Sequence, residues 1–274
     1  MIAGPALLFC PGDRPDRYRK ATDAADAVII DLEDAVALAA KPAAREALVA
    51  SQLDPDRTLV RVNPRSTALL DADIEALRAT PYRTVVLAKA ETAHDVAPLA
   101  GFRVMAICES PLGVRNADML ADHDDVFALT WGAEDLVAAM GGSSSRRPDG
   151  NYRVFAEYAR SRVLIAAASA GKAAYDTVHL DIADDAGLRL EAEDAAASGF
   201  AGAMCIHPRQ VETIRAAFRP SAESLAWARG VIEAAADTPS GVFAVNGRMV
   251  DEPVLRQARR IVESAAAASI EGEK

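Results

Sequence analysis

Short apolar runs alternate with alanine-rich segments along most of the chain. Eight of these runs are five to seven residues long and rich in Val, Ile, Leu or Ala, which predicts buried β-strands. They are ALLFC (6–10), AVIID (27–31), TLVRVN (58–63), TVVLAK (84–89), RVMAICE (103–109), VFALTWG (126–132), DTVHLD (176–181) and AGAMCIH (201–207). The segments between most of them have the spacing of amphipathic helices, as in DADIEALRAT (71–80).

Strands that alternate with helices predict a parallel sheet, and eight such strands are the number that closes a (β/α)₈ barrel. A doubly wound open sheet is the alternative. The segment PGDRPDR (11–17) after the first run lacks the G-x-G-x-x-G turn that this alternative often carries, which favours the barrel. The sequence therefore predicts an α/β protein with a TIM barrel over residues 1–219.

Residues 220–274 continue beyond the eighth predicted strand. They predict a helix through Trp227, a hairpin over VFAV-NG-RMVD (242–251) with an Asn-Gly turn, and a final helix rich in Arg and Ala. This C-terminal helical and hairpin appendix is too short to form a separate domain.

Polar side chains follow the predicted strands, at the end where a (β/α)₈ barrel carries its chemistry. Burying carboxylates there is costly unless they are paired, hydrogen-bonded or bound to a metal. The residues at the strand ends are Asp31, Glu33, Asp34, Arg61, Asn63, Lys89, Glu91, Glu109, Glu134, Asp135, His179, Asp181 and His207. Their convergence on one rim predicts an active site.

Glu109 and Asp135 end consecutive predicted strands. Because neighbouring strands lie about 4.8 Å apart, the two carboxylates can share one hard cation, and Mg²⁺ is commonly bound by one or two carboxylates and several waters. The alternative is an ion network of Glu109 with Arg61 or Lys89. Zinc is disfavoured because the four His residues are scattered along the chain.

Two basic features have two interpretations each. Arg61 interrupts an apolar strand, so it either pairs with Asp31 or Glu33 or faces an anionic ligand. Arg14 and Lys20 lie on the first loop and helix, which suits either a phosphate site or a solvated helix face.

Two further features also have two interpretations. The segment GGSSSRRPDGNY (141–152) is either a mobile lid or a long surface loop. His207 is either a metal ligand or a hydrogen-bonding core histidine, and the second is favoured.

Composition narrows the class of partner. The chain has 274 residues and a net charge of -10, which argues against nucleic acid or an anionic membrane as partner but allows an anionic small molecule. Cys10, Cys108 and Cys205 lie far apart in apolar runs, so we expect buried, reduced thiols. No signal-peptide pattern and no run of about 18 apolar residues is present, and we expect a cytoplasmic protein.

Several motifs in order along nearly the whole chain resemble those of one family. They are LFCPGDRPDRYRKA, VIIDLEDAVALAAKPAAR, RVN, LAKAE, ICES, TWGAEDL, CIHPRQV and GRMVDEPVL. Together they resemble the citrate lyase β-subunit-like (CitE-like) proteins of the HpcH/HpaI aldolase/citrate lyase family. The resemblance implies a TIM-barrel, Mg²⁺-dependent carbon–carbon lyase that cleaves β-hydroxyacyl thioesters of coenzyme A and forms a homotrimer or hexamer.

The same resemblance implies a role for each matching residue. Glu109 and Asp135 would hold the metal, Arg61 would contact the keto acid or acyl group, and Arg14 and Lys20 would lie by coenzyme A. The remaining implied substrate contacts are backbone amides of Gly132, Ala133 and Glu134. Asp251, in the appendix, would reach a neighbouring subunit's site as the acid/base. Under the same resemblance, the candidates for orienting the metal's waters and Arg61 from behind are Asp31, Glu33, Asp34 and Lys89.

Rival functions remain open at this point. One is a citrate lyase β subunit acting on an acyl-carrier-protein thioester, and another is an aldolase on free hydroxy-keto acids, which would not need the basic first loop. A third is a non-catalytic acyl-CoA-binding protein. A Schiff-base aldolase through Lys89 is disfavoured and can be tested by borohydride trapping.

Overall fold

The computed structural model describes residue 2, residues 4–236 and residues 241–271. The chain divides into two compact units, Met1–Arg215 and Ala216–Lys274, and the boundary lies within one helix.

The first unit is a closed barrel of eight parallel strands in sequential order. Pairing of Leu8 with Cys205 is part of the ladder that joins the last strand to the first. The strands are β1 (Ala6–Pro11), β2 (Ala27–Asp31), β3 (Thr58–Val62), β4 (Thr84–Leu87), β5 (Arg103–Cys108), β6 (Val126–Trp131), β7 (Ala173–Asp176) and β8 (Gly202–Cys205). The predicted TIM barrel is confirmed.

Helices connect the strands. They are α1 (Pro15–Ala24), α2 (Lys41–Ala50), α3 (Leu70–Arg78), α4 (Ala93–Val96), α5 (Pro111–Arg115), α6 (Ala117–Asp122), α7 (Ala133–Ala139), α8 (Val154–Ser169), α9 (Asp185–Ser198) and α10 (Arg209–Phe218). Short 3₁₀ turns cover Leu38–Ala40, Pro55–Arg57 and Ala97–Leu99. Gly171 follows α8 with a positive φ of 67°, as the sequence predicts for a helix end.

The apolar strand residues fill the barrel. Every residue of β2 is buried, as expected for a parallel strand covered on both faces. Each fully buried Leu, Ile or Val contributes about 1.5–3 kcal/mol relative to an exposed one. The core cluster includes Leu7, Ile29, Leu59, Val86, Met105, Tyr175 and Met204.

The seventh strand lies earlier than predicted. The sequence predicts a strand over 176–181, but β7 covers Ala173–Asp176 and pairs with β6 through Ala173 and Ala174. The prediction was wrong because the residues of KAAYD resemble the end of the preceding alanine-rich helix. His179 and Asp181 therefore lie in the loop after the strand, and the strand's terminal acid is Asp176.

The second unit contains the predicted appendix elements. These are α11 (Ala222–Ala236), β9 (Phe243–Val245), β10 (Arg248–Val250) and α12 (Glu252–Glu271). Asn246 and Gly247 join β9 to β10 with positive φ angles of 50° and 76°, as a type I′ hairpin turn requires. A small core of Ala228, Val231, Val250 and Ala258 supports this unit.

The cysteines and helix lengths bear on two expectations. All three cysteines are buried free thiols, as predicted. Within the described part of the chain, every helix is too short or too polar to span a bilayer.

Candidate active site

The acid at the end of β2 is paired within the barrel mouth. Arg61 on β3 donates to both Asp31 oxygens, from Nε at 2.7 Å and from a terminal nitrogen at 2.6 Å. Asp31 and Arg61 are also register partners across β2 and β3, so the sheet itself brings them together. The Asp31 carboxylate further accepts the backbone N–H of Glu33 and Ala35, which fixes the loop after the strand. The ion pair of Arg61 with Asp31, one of the two predicted interpretations of Arg61, is therefore present.

Glu33 extends this pairing to β4. It lies 3.2 Å from Arg61 and accepts a 2.5 Å hydrogen bond from Lys89 Nζ, which also lies 3.0 Å from Asp34 and 3.2 Å from Asp135. Burial raises the pKa of Glu33 against the effect of the two cations. Burial opposes the charged form of Lys89, but its hydrogen bonds to Glu33 and Asp34 and the nearby carboxylate charges together raise the Lys89 pKa. Lys89 is therefore held as an ammonium.

Glu109 follows β5 and is buried, with 4% of its surface exposed. One of its oxygens accepts the backbone N–H of Lys89 at 2.8 Å, and Lys89 has the left-handed φ of 49° there. The other oxygen faces Gly132, where an added Cβ would lie 2.7 Å from Glu109 Oε2. A residue without a side chain is thus required at 132 for this carboxylate to keep its place.

The surroundings of Glu109 disfavour its ionised form. Burial, and then the charge of Asp135, raise the pKa of Glu109 to about 8. A buried carboxylate beside a second carboxylate is destabilised in its ionised form, and a bound cation reverses that effect. The donor set of Glu109 and Asp135 therefore fits a hard divalent cation.

Protein ligands alone do not build a metal site here. Among the described residues, no cluster of three or more His, Cys, Asp or Glu side chains could hold a metal ion. Two carboxylates completed by water and substrate are the arrangement that suits Mg²⁺. His207 instead accepts the backbone N–H of Arg209 through Nδ1, as the favoured hydrogen-bonding interpretation expects.

Two cavities meet at Glu109 and Asp135. The larger, of about 240 Å³, is polar and also includes Lys89, Glu91 and Ser110. The smaller, of about 140 Å³, has Arg61 at one side and an otherwise mostly apolar and aromatic lining. Its lining also includes Phe9, Ile107, Trp131, Gly132, Ala133, Glu134, Val178 and Met204. The predicted substrate-binding residues 132–134 therefore border the same cavity as Arg61.

Arg146 and Tyr152 also line the smaller cavity, and the sequence interpretation missed both. They lie in the loop between α7 and α8, where Arg146 pairs with Tyr152 in a β-bridge and stacks 4.0 Å over its ring. The Tyr152 ring meets Trp131 edge-on at 5.3 Å. The one signal was an Arg and a Tyr inside a Gly- and Ser-rich segment that follows a barrel strand.

Two predicted coenzyme A contacts lie on the first helix and its loop. Arg14 donates twice to Asp16 and is largely exposed, and Lys20 is also exposed. Neither is among the residues that line the two cavities. Their role near coenzyme A stays a prediction.

Asp251 belongs to the second unit and precedes α12. Its Oδ1 accepts the backbone N–H of Val254 at 3.3 Å, and its carbonyl accepts that of Leu255, as in a helix N-cap. This contact gives Asp251 a structural role within its own unit. The predicted acid/base role stays a prediction.

The polar residues at the end of β7 and in the loop after it are hydrogen-bonded to other groups of the protein. Asp176 accepts the Trp131 indole N–H at 2.7 Å and two bonds from Arg160. His179 is bonded to Glu191 on α9, and Asp181 accepts the backbone N–H of Ala183. The loop that carries His179 nevertheless supplies cavity walls through its neighbours Val178 and Leu180.

These features define an α/β-barrel enzyme with a carboxylate pair at the carboxyl ends of its strands. Residues 6–208 match the HpcH/HpaI aldolase/citrate lyase family, and the chain belongs to it. The predicted family and the predicted enzyme class, a carbon–carbon lyase, are confirmed.

Three relatives show how close the similarity is. A citrate lyase subunit beta-like protein of Mycobacterium tuberculosis is 52% identical over 98% of both chains. The crystal structure of CitE from M. tuberculosis, with magnesium, acetoacetate and coenzyme A, superposes with a TM-score of 0.93 at 52% identity, covering 96% of this chain and 98% of that one. The human mitochondrial citramalyl-CoA lyase is 29% identical over 95% of this chain and 85% of its own.

Proposed function

We propose that the chain is a Mg²⁺-dependent lyase that cleaves a β-hydroxyacyl-CoA to acetyl-CoA or a related acyl-CoA and a keto acid. The substrate would resemble malyl-, citramalyl-, 3-hydroxy-3-methylglutaryl- or citryl-CoA. The observation that carries the proposal is the carboxylate pair Glu109 and Asp135, which both cavities share, with Arg61 beside the smaller one. The relative's magnesium, acetoacetate and coenzyme A support the same class of ligands.

Glu109 and Asp135 would hold the Mg²⁺, in agreement with the raised pKa of Glu109 and its like-charged neighbour. When bound, the ion supplies positive charge that polarises substrate oxygens. Lys89 and the acids of the second strand's loop would orient these groups from behind. Those acids are Asp31, Glu33 and Asp34.

The smaller cavity would hold the keto-acid half of the substrate. Its volume of about 140 Å³ suits a small organic acid, since a water molecule takes about 30 Å³ of liquid volume. Arg61 would contact the acyl or keto group, because its five N–H donors exceed the three contacts it makes with Asp31 and Glu33. Backbone amides of Gly132, Ala133 and Glu134 would take the substrate carboxylate. Coenzyme A would lie by Arg14 and Lys20.

Cleavage then requires a base and a site for negative charge. Asp251 would remove the proton from the β-hydroxyl oxygen, and the Cα–Cβ bond would break as the carbonyl of the keto acid forms. The electron pair of that bond passes to the thioester as an enolate, which Arg61 and nearby dipoles would stabilise. The proton taken up by Asp251 would return to the enolate carbon, which gives the acyl-CoA and restores the Asp251 carboxylate.

We further propose that the chain is a homo-oligomer, a trimer or hexamer, in which residues 220–274 complete a neighbouring subunit's site through Asp251. Co-expression of E109Q and D251N chains tests this idea. If metal ligand and base come from different chains, the mixed oligomer contains some sites with both wild-type groups and regains activity. If both groups come from one chain, mixing two inactive chains restores nothing.

The function is tested by incubating the purified protein with the four CoA thioesters, with Mg²⁺ and with EDTA, and following products by mass spectrometry. EDTA-sensitive cleavage of one thioester establishes the lyase and names its substrate, and E109Q should abolish that cleavage. Binding of coenzyme A without cleavage of any thioester would contradict the proposal. The same panel on an acyl-carrier protein would then separate a citrate lyase β subunit from a non-catalytic acyl-CoA-binding protein.

A further inference from the structure

Two loops form one side of the smaller cavity. The loop at 140–153 contributes Arg146 and Tyr152, and the loop at 177–184 contributes Val178 and Leu180. The two loops follow different strands, β6 and β7, so the barrel alone does not fix their relative positions.

Arg146 organises the first loop. Its terminal nitrogens donate to the Tyr152 hydroxyl at 2.8 Å and to the Gly150 carbonyl at 2.9 Å, while its plane covers the Tyr152 ring. The loop is also tied to α7, because Ser145 Oγ donates to Glu134 Oε1 at 2.5 Å. These contacts show that the Gly- and Ser-rich segment has a defined packed conformation.

Glu191 on α9 joins the two loops. Both of its oxygens accept hydrogen bonds from Arg146, the one at Oε2 from a nitrogen 3.2 Å away. The same Oε2 lies 2.9 Å from His179 Nδ1 in the second loop. His179 is 6% exposed and stands between the lining residues Val178 and Leu180. One carboxylate therefore contacts both loops that form this side of the cavity.

The positive charge of Arg146 is balanced by a carboxylate of the protein itself. Its guanidinium is matched by the Glu191 carboxylate. Burial opposes the charged form of Arg146, but the bond to Glu191 and the charges around it together raise the Arg146 pKa. A bidentate Arg–carboxylate pair fixes direction as well as distance. Arg146 therefore acts as a support of the wall, and its role differs from that of Arg61.

We propose that Glu191 is a positioning residue that clamps the loops 140–153 and 177–184 into the wall of the smaller cavity, and so sets its affinity for the keto acid. The proposal rests on the proposed function only in naming a keto acid as the occupant. The Glu191 carboxylate contacts Arg146 and His179 and not the proposed metal ligands. We therefore expect metal binding to be independent of Glu191.

E191Q is the test variant, because it keeps the shape of the side chain and removes its charge. E193Q is the matched control, since Glu193 lies on the same helix and forms an exposed ion pair with Arg189. We expect amide hydrogen exchange in both loops to be faster in E191Q than in E193Q. Equal exchange in either loop would overturn the clamp.

Ligand affinity gives the second readout. In a W227F background, Trp131 is the remaining Trp of the chain's two, and its contact with Tyr152 makes its fluorescence a probe of this wall. Acetoacetate, pyruvate and oxaloacetate are titrated with Mg²⁺ present. We expect E191Q to weaken binding by up to about 100-fold, since misplacing a site by about 1 Å can cost that much, and to leave the Mg²⁺ titration unchanged.

Each outcome has one meaning. Equal affinity in E191Q and E193Q overturns the inference, and so does a matching loss of Mg²⁺ affinity, which would indicate general disruption. If the W227F background binds none of the three keto acids, the proposed function of this cavity fails, and the exchange measurement still decides whether Glu191 clamps the loops. E191D should restore part of the affinity, because it returns the charge at a shorter reach.

Discussion

Replacing Gly132 with Ala should displace the Glu109 carboxylate while leaving the residue itself unchanged. Gly132 has φ −131° and ψ 119°, which any residue adopts, so the added methyl group brings no backbone strain. It would lie 2.7 Å from Glu109 Oε2 and 2.9 Å from Glu109 Cβ, both well inside van der Waals contact. The Glu109 side chain must therefore move while the fold keeps its core.

Two magnitudes follow from this geometry. Overpacking of one methyl group costs about 1–3 kcal/mol of unfolding free energy. Disturbing the support of a metal ligand costs about 10–100-fold in metal affinity, which is about 1.4–2.7 kcal/mol. We therefore expect G132A to fold and to require a much higher Mg²⁺ concentration than the wild type.

The assay is a Mg²⁺ or Mn²⁺ titration by calorimetry, alongside thermal unfolding and thioester cleavage at saturating metal. G230A is the control, because a Cβ at Gly230 meets nothing within 4 Å and Ala favours the helix. A G132A protein with wild-type metal affinity would refute the assignment of Glu109 as a ligand. A G132A protein that is already unfolded at the temperature of the titration would show that the methyl group disrupts the core instead.

Three other predictions address Lys89, Asp251 and His179. Borohydride with a keto acid should not inactivate the protein, because ion pairs hold Lys89 protonated; mass spectrometry would reveal an adduct if this is wrong. D251N should unfold like the wild type, since Asn also caps a helix, yet lose thioester cleavage; retained cleavage would exclude Asp251 as the base. The bond to Glu191 raises the His179 pKa, so its stabilising effect is complete below its ordinary pKa of about 6.5 and is lost as the pH rises through the higher folded value. The difference in unfolding free energy between wild type and H179N should therefore shrink as the pH rises above about 6.5, and a constant or growing difference would contradict this.

The barrel could be predicted because its signals are local. Buried parallel strands appear as short apolar runs, and the helices between them show the spacing of apolar residues typical of amphipathic helices. Both can therefore be recognised in the sequence without knowledge of tertiary contacts. The strand at Ala173–Asp176 was not predicted because KAAYD resembles the sequence of the alanine-rich helix before it. Gly171 was the only local sign of a boundary there, and only three residues separate the end of the helix at Ser169 from the start of the strand at Ala173.

The site was predictable in part for a related reason. Glu109 and Asp135 follow strand ends, and parallel strands bring their ends to one rim. Arg146 and Glu191 lie on a loop and on an outer helix, and they meet only through tertiary packing. No spacing rule connects residues 45 positions apart on such elements, so the clamp could not be predicted from the sequence.

The acids at the mouth fall into two groups that differ in their partners. Asp31 is matched by Arg61, and Glu33 and Asp34 are matched by Lys89. Glu109 receives a backbone N–H from Lys89, and its pKa rises to about 8 because of its burial and Asp135. The five carboxylates thus face two cations, and Asp135 shares Lys89, 3.2 Å away, with Glu33 and Asp34. Negative charge therefore exceeds positive charge where both cavities meet, and a divalent cation at that point would stabilise Glu109 and Asp135 together.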